Sequence, residues 1–411
     1  MARLKILMLT RLFPSQEFPG FGTFCMERAK ALARYADVRI MVPTPYFPSW
    51  LPGMEKWKRW SKVELKGVTS EGSLISYPRY MSVPGGLTWF QGIAMSHAVR
   101  RDFTEHYKGW QPDVIDGHFA YPDGYAATQL GKALDVPVMV TCHGSDLRLY
   151  PDIPIAGQMT RWMLRNADRV ISVSSDLLKR SIELGTPEKN AIFLQNGVDP
   201  EKFRLLDQFE LRTRLGLPLE RKIAVQVAAL VDIKDHSLAL QALAILRERG
   251  EAPPMLVLIG EGPLREPLEK EVQLLGLEND VRFLGSRPHA EVALWMGAAD
   301  WLLLTSKAEG WATVYFEAMG CGRPVITSDV SSAKDAISDC AYGIVVESRT
   351  PADFANALMV ASQKKYDANV IRSYAEMHSW NHWAQKAIEI VQSIQATNGL
   401  HKEKQKNKEL G

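Results

Sequence analysis

Residues 301–327 read WLLLTSKAEGWATVYFEAMGCGRPVIT, and the fold can be worked out from this stretch. Trp301–Leu304 is a short apolar run of the kind a strand buried on both faces requires. It empties into Thr305-Ser306-Lys307-Ala308-Glu309-Gly310, a polar loop closing on glycine. The pattern predicts a helix that starts near Thr313, carries Glu317 and ends around Gly320–Gly322, with another strand opening at Pro324. Strand, loop, helix and strand in that order form the building unit of a parallel sheet covered by helices.

The same alternation extends in both directions. Toward the N-terminus the predicted strands are Lys5–Thr10, Val38–Val42, Val114–Asp116, Val138–Thr141 and Arg169–Val173. Around the opening stretch they are Ile223–Val227, Met255–Ile259, Val281–Leu284, Trp301–Leu304, Pro324–Thr327 and Ile344–Val346. Helical periodicity fills the gaps at Met26–Arg34, Tyr125–Leu134, Leu238–Arg249 and Leu264–Leu275. Between the two sets, Asn196–Leu217 is dense in charge and in Asn-Gly, Asp-Pro and Leu-Pro turn signals. A chain of 411 residues exceeds one ordinary core. We therefore expect Rossmann-like domains over residues 1–205 and 206–378, an amphipathic helix over 379–396, and a disordered polar tail over 397–411.

Composition narrows the function. Lys and Arg number 49 against 47 Asp and Glu, a net +2, so nothing marks a nucleic-acid binder. Cys25, Cys142, Cys321 and Cys340 are scattered, which argues against a zinc site or disulfide framework and suits a reducing compartment. The apolar run Ile6–Thr10 stops at Arg11, too short for a secretory h-region, and no run approaches the ~18 apolar residues of a membrane span. A cytoplasmic protein is expected. Trp50–Lys66 holds three tryptophans among several cations, which suits either the inner face of an anionic membrane or a solvated loop with its aromatics tucked in.

The chemistry concentrates in the opening stretch. Glu309 and Glu317 offer carboxylates to sugar hydroxyls, beside backbone N–H groups of Thr313 and Val314 suited to phosphate. Taken singly, Glu309 reads as a solvated loop charge and Glu317 as a partner of the helix dipole; the combination favours a nucleotide-sugar. His143 and His118 each follow a predicted strand, the first beside Gly144. Asp146 reads as a loop-bracing carboxylate rather than a general base.

Glu309 through Val325 resembles the E-x7-E signature of family-4 retaining glycosyltransferases of the GT-B fold, trailing E-A-M-x-x-G-x-P-V included. Thr141–Asp146, Gln195–Asp199, Gly260–Pro263 and Val281–Gly285 match in order, so the resemblance runs from Lys5 to about Ile394. It implies two domains facing across a cleft, with the last helix crossing back to the first. It implies a UDP- or GDP-sugar donor, a carbohydrate acceptor (lipid-linked if the membrane reading of Trp50–Lys66 holds), and neither metal nor cofactor. Glu317 would hold the ribose, Glu309 the transferred sugar, and His143 that sugar from across the cleft. Lys234 would neutralise the diphosphate, with Gly310, Thr313, Val314, Gly22, Gly262 and Arg287 on the donor side. His118 and Asp146 would line the acceptor side. The opening Arg11-Leu12-Phe13-Pro14 is similar to bacterial enzymes of exopolysaccharide or teichuronic-acid-type synthesis.

Two departures stand out. The family pattern G-R-x-x-x-x-K reads here Ala228-Ala229-Leu230-Val231-Asp232-Ile233-Lys234, so an arginine on phosphate is replaced by Ala229. The first-strand loop reads Pro19-Gly20-Phe21-Gly22 where a Gly-Gly pair is common. Ala229 motivates the rival reading of an impaired, nucleotide-binding pseudo-transferase. A two-lobed solute-binding protein would need an export signal and leaves the glutamate pair unexplained.

Overall fold

The computed structural model describes residues 3–46, 58–82 and 88–409, so residues 50–57 of the Trp50–Lys66 segment lie outside the described residues. The chain divides into two compact units, Met1–Gln195 with Trp380–Gly411, and Asn196–Ser379.

The first unit is built on an eight-stranded sheet. Its strands lie in the spatial order Ala191–Phe193, Arg169–Ser172, Val138–Cys142, Val114–His118, Leu4–Leu9, Ala36–Met41, Leu74–Ser76 and Lys66–Val68. All neighbours pair in parallel except the last two, which run antiparallel at the edge. Ile6 to Leu9 are fully buried, as a strand covered on both faces demands. Counted from Leu4–Leu9, the chain adds strands outward on one side, then returns to pair Val114–His118 on the other. The strand order reverses there, which is where doubly wound sheets bind ligands.

The helix Thr23–Ala33 covers this sheet and is itself covered by the final helix, which starts at Trp380. Trp380, Trp383, Ala384, Ala387, Val391 and Ile394 enter the same core as Cys25, Ala29 and Leu32. Their spacing makes one apolar stripe. The final helix continues in backbone to Glu409, through the polar tail for which the sequence predicts disorder. Its Lys, Glu and Gln residues are strong helix formers, which suits a helix there. Trp60 packs on Phe18 with ring centroids 4.3 Å apart, so that tryptophan is tucked in.

The second unit carries a six-stranded, all-parallel sheet. Its order is Val281–Gly285, Met255–Ile259, Ile223–Val227, Trp301–Leu304, Val325–Ser328 and Gly343–Val346. The reversal falls between Ile223–Val227 and Trp301–Leu304. Its core is separate, with Leu240, Leu243, Leu256, Leu258, Trp301, Leu303 and Phe354 among its buried members. Among the described residues, no helix is long and apolar enough to cross a membrane.

Candidate active site

In the second unit, the loops leaving the two strands at the reversal are joined by an ion pair. Lys234 closes the short helical turn Asp232–Lys234, and its Nζ lies 2.6 and 2.9 Å from Oε1 and Oε2 of Glu309. Ser306 Oγ donates to Glu309 Oε1 at 2.6 Å, and Ser331 Oγ donates to the Glu309 carbonyl at 2.6 Å. Glu309 is thus fixed at both ends. The lysine loop is fixed too: the Lys307 N–H donates to the Ile233 carbonyl at 2.8 Å, and Thr305 Oγ1 donates to the Asp235 carbonyl at 2.7 Å. Arg349, from well beyond both loops in sequence, bonds the Asp235 carboxylate and the Thr305 carbonyl.

Gly260 and Gly262 have a local reason. A Cβ on Gly260 would stand 1.9 Å from the Ala228 carbonyl oxygen, and one on Gly262 would stand 2.3 Å from that of Leu230. Only glycine lets the two loops pair as they do, with the Leu230 N–H donating to the Glu261 carbonyl at 3.0 Å. Ala229 lies exposed on this paired segment. Gly310 adjoins Glu309, partly buried, and Thr313 directly precedes the helix Val314–Gly320. That helix spans only seven residues, so its dipole is short. Glu317 lies partly buried within it. Arg287 is exposed and pairs with Glu291 at 3.6 Å.

In the first unit the strand reversal gathers a different set. His118 ends its strand fully buried, opposite Thr141 in register, so His143 follows two residues beyond that partner. His118 Nδ1 and His143 Nε2 are 3.2 Å apart, with the rings near parallel. Asp116 Oδ2 stands 3.3 Å from His118 Nε2, a close approach without hydrogen-bond geometry. Arg28, buried on the helix Thr23–Ala33, donates to Thr141 Oγ1 at 3.0 Å and stands 3.5 Å from His118 Nδ1. Its guanidinium also lies over Trp383, 4.5 Å from the ring centre. Burial lowers the Arg28 pKa to about 10, partly offset by Asp116, so it stays cationic near neutrality. Burial first, then Arg28 and His118, push His143 well below the usual imidazole range. His118 is lowered by burial against the opposing pull of Asp116.

The ring of His143 is flanked by Phe24 and Phe119, with centroids 4.9 and 4.6 Å away. Phe119 holds φ at 68°, which costs a non-glycine residue on the order of 1–3 kcal/mol. Asp146 supports the loop beneath: its carboxylate accepts N–H bonds from Gly144 at 2.7 Å, Ala120 at 2.8 Å and His143 at 3.1 Å. Burial raises its pKa, and those N–H groups oppose the rise. Gly22 caps the helix Thr23–Ala33 at φ 71°, where a Cβ would stand 2.2 Å from the Leu12 carbonyl oxygen. Across the reversal, Asp123 accepts the Arg11 N–H at 2.6 Å and stands 3.3 Å from Arg11 Nε; burial lifts its pKa to about 6, held back by Arg11.

The predicted residues therefore fall into a Lys234–Glu309 group in one unit and a His118–His143–Asp146 group in the other. Among the described residues, Gly22 packs against the Leu12 backbone and Arg287 pairs with Glu291. Sequence reasoning missed Arg28, Asp116, Asp123 and Arg349. Arg28 left one signal: it occupies the apolar stripe of its helix, at helical spacing from Cys25 and Leu32, where a cation is out of place. Among the described residues, no group of three or more His, Cys, Asp or Glu is placed to hold a metal.

Two doubly wound units, each with polar side chains gathered where its strand order reverses, define a two-domain α/β enzyme. Residues 20–202 match the family described as Glycosyltransferase Family 4, and residues 207–378 match Glycosyl transferases group 1. The chain belongs to the family-4 glycosyltransferases, retaining enzymes of the GT-B fold that take a sugar from a nucleotide-sugar. A Bacillus subtilis relative named as the teichuronic acid biosynthesis glycosyltransferase TuaC is 29% identical over 332 residues, 80% of this chain and 81% of its own. A D-inositol 3-phosphate glycosyltransferase from Jonesia denitrificans is 28% identical over 75% of this chain and 77% of its own. Sucrose-phosphate synthase from Thermosynechococcus elongatus shares the fold with a TM-score of 0.77 at 18% identity, over 96% of this chain and 100% of that one. Anabaena HepE, solved in complex with UDP, gives 0.68 at 20% identity, over 95% and 100%.

Proposed function

We propose that this enzyme transfers a hexosyl residue, with retention, from a UDP-sugar to a carbohydrate acceptor in bacterial polysaccharide synthesis. The single observation that carries the reading is the Lys234–Glu309 pair spanning the two loops at the strand reversal of the second unit. Breaking a glycosyl phosphate bond builds positive charge at the sugar carbon and negative charge on the departing diphosphate. A lysine beside that phosphate stabilises the transition state more than the ground state. Glu309, held by Ser306, is assigned to hydroxyls of the transferred sugar and Glu317 to the ribose. His143 is assigned to a hydroxyl of the transferred sugar, and the phosphate takes the acceptor proton. The choice of UDP is supported by the UDP complex of HepE, and the polymer pathway by the name of the B. subtilis relative. Leu65, Val68 and Leu74 are exposed along the edge strands beside Lys62 and Lys66, which supports an acceptor carried on a lipid at the inner membrane face.

The test is a panel of UDP-, GDP- and ADP-sugars in thermal-shift and turnover assays on wild type and Glu317→Ala. UDP-sugars should stabilise and be consumed by the wild type, with the shift lost in Glu317→Ala. A preference for GDP would overturn the choice of base. No response to any nucleotide-sugar, or an identical response from Glu317→Ala, would overturn the donor site.

A further inference from the structure

The contacts around His143 fix where its proton sits. Arginine can only donate, and Arg28 Nη1 stands 3.5 Å from His118 Nδ1. His118 Nδ1 is therefore the bare, accepting nitrogen of that ring. Its proton is on Nε2, the side of the Asp116 carboxylate 3.3 Å away. His143 Nε2 meets the same bare nitrogen at 3.2 Å. Two lone pairs would repel there, so His143 must carry its proton on Nε2. Its Nδ1 is then the nitrogen left for a ligand.

We infer that Arg28 and His118 are positioning residues that lock His143 as the neutral ring protonated on Nε2, reserving Nδ1 to accept a hydrogen bond from a hydroxyl of the transferred sugar. The sugar half of this inference rests on the donor reading above; the locking half does not. A second proton on His143 would sit against Arg28 from the helix Thr23–Ala33 and beside His118, while Asp116 faces the far nitrogen of His118. Cys25, also on that helix, is held neutral by burial, its pKa raised to about 12. Asp146 is turned to the backbone N–H groups of the His143 loop. The strained Phe119 and its neighbour Phe24 hold the ring in place. A ring so placed keeps one tautomer across the neutral range, as general control of histidine by its second nitrogen requires.

The experiment is ¹⁵N-histidine labelling of the full chain, with two-bond proton–nitrogen correlation spectra from pH 5.5 to 8. His143→Gln identifies the signals among the nine histidines. Wild-type His143 should stay neutral throughout, protonated on Nε2 and bare on Nδ1. His118→Asn keeps an acceptor at the Nδ1 position and should preserve that signature, with donor kcat/KM within about threefold. His118→Leu should give a mixed or titrating His143, about tenfold lower kcat/KM, and a new acid limb in its pH profile. A wild-type His143 protonated on Nδ1, or titrating in this range, overturns the inference without any variant having to fold. So does a folded His118→Leu whose His143 signature is unchanged. If the tautomer is as expected but His143→Gln turns over donor like the wild type, the locking stands and the assignment of His143 to the sugar falls.

Discussion

Lys234 and Glu309 satisfy each other at 2.6 Å, with the glutamate nearly buried, so neither can be removed alone without leaving the other's charge exposed to a poor environment. Lys234→Met and Glu309→Gln should each lower donor kcat/KM by roughly 100-fold or more. The double variant should lose far less than the product of the two, which a double-mutant cycle on kcat/KM will read. His236, next but one to Lys234, is buried, and neither ring nitrogen has a hydrogen-bond partner among the described residues. Burial, with Lys234 adding, depresses its pKa to about 4. Its folded value is below the unfolded one, so the unfolded chain binds the extra proton first as pH falls. The associated stability is complete above about pH 6.5 and is lost toward about pH 4, up to about 3 kcal/mol. His236→Gln should flatten the acid limb of Tm against pH over that window. How much of this was readable beforehand differs by residue. Glu309, Glu317 and Lys234 were legible through the resemblance, because a short motif carries them. Their contact across 75 positions was not, and Arg28 against His118, across 90, was not either. Such pairs exist only once strand order and register are set.

At the scale of elements, strands buried on both faces were the most legible, because a run such as Ile223–Val227 or Met255–Ile259 has few alternatives. The short strands Thr44–Tyr46, Lys66–Val68, Leu74–Ser76, Arg79–Met81 and Ala191–Phe193, all at or next to a sheet edge, were not foreseen. Three residues carry too little pattern, and Pro45 argues against a strand while being tolerated at an edge. The helix Thr88–His106 was missed as well: its apolar residues form no clean stripe, so packing rather than periodicity holds it. The paired loops at Gly260–Gly262 and Ala228–Leu230 make a prediction at this scale. Gly260 holds φ at 151° against the Ala228 carbonyl. Gly260→Ala should destabilise by about 2 kcal/mol or more, from overpacking and backbone strain together. It should also weaken donor binding by displacing the loop that leads to Lys234. Gly20→Ala, where a Cβ meets nothing within 4 Å among the described residues, is the control and should leave Tm unchanged. Equal melting of the two variants would show that the loop pairing is not what requires glycine.

At the scale of the molecule, the first unit is discontinuous, while the second is one uninterrupted segment with its own core. Residues 196–379 expressed alone should therefore unfold cooperatively by circular dichroism. Residues 1–195 alone should not, because the buried residues of the last helix leave with it. Trp380, Trp383, Val391 and Ile394 at roughly 1.5–3 kcal/mol each amount to on the order of 6–12 kcal/mol, comparable with a whole domain's stability. Joining residues 380–397 to the first segment through a flexible linker should restore a cooperative transition. Failure of that rescue, with residues 196–379 folding normally, would place the missing stability elsewhere. The discontinuity also reverses the order of assembly on the ribosome. The half made first waits for its closing helix until the half made second has been synthesised and is free to fold. Nascent residues 1–195 thus stand with the Cys25, Ala29 and Leu32 face uncovered for nearly half the time of translation. Truncated messages of this enzyme should consequently burden chaperones far more than late missense changes in the second half.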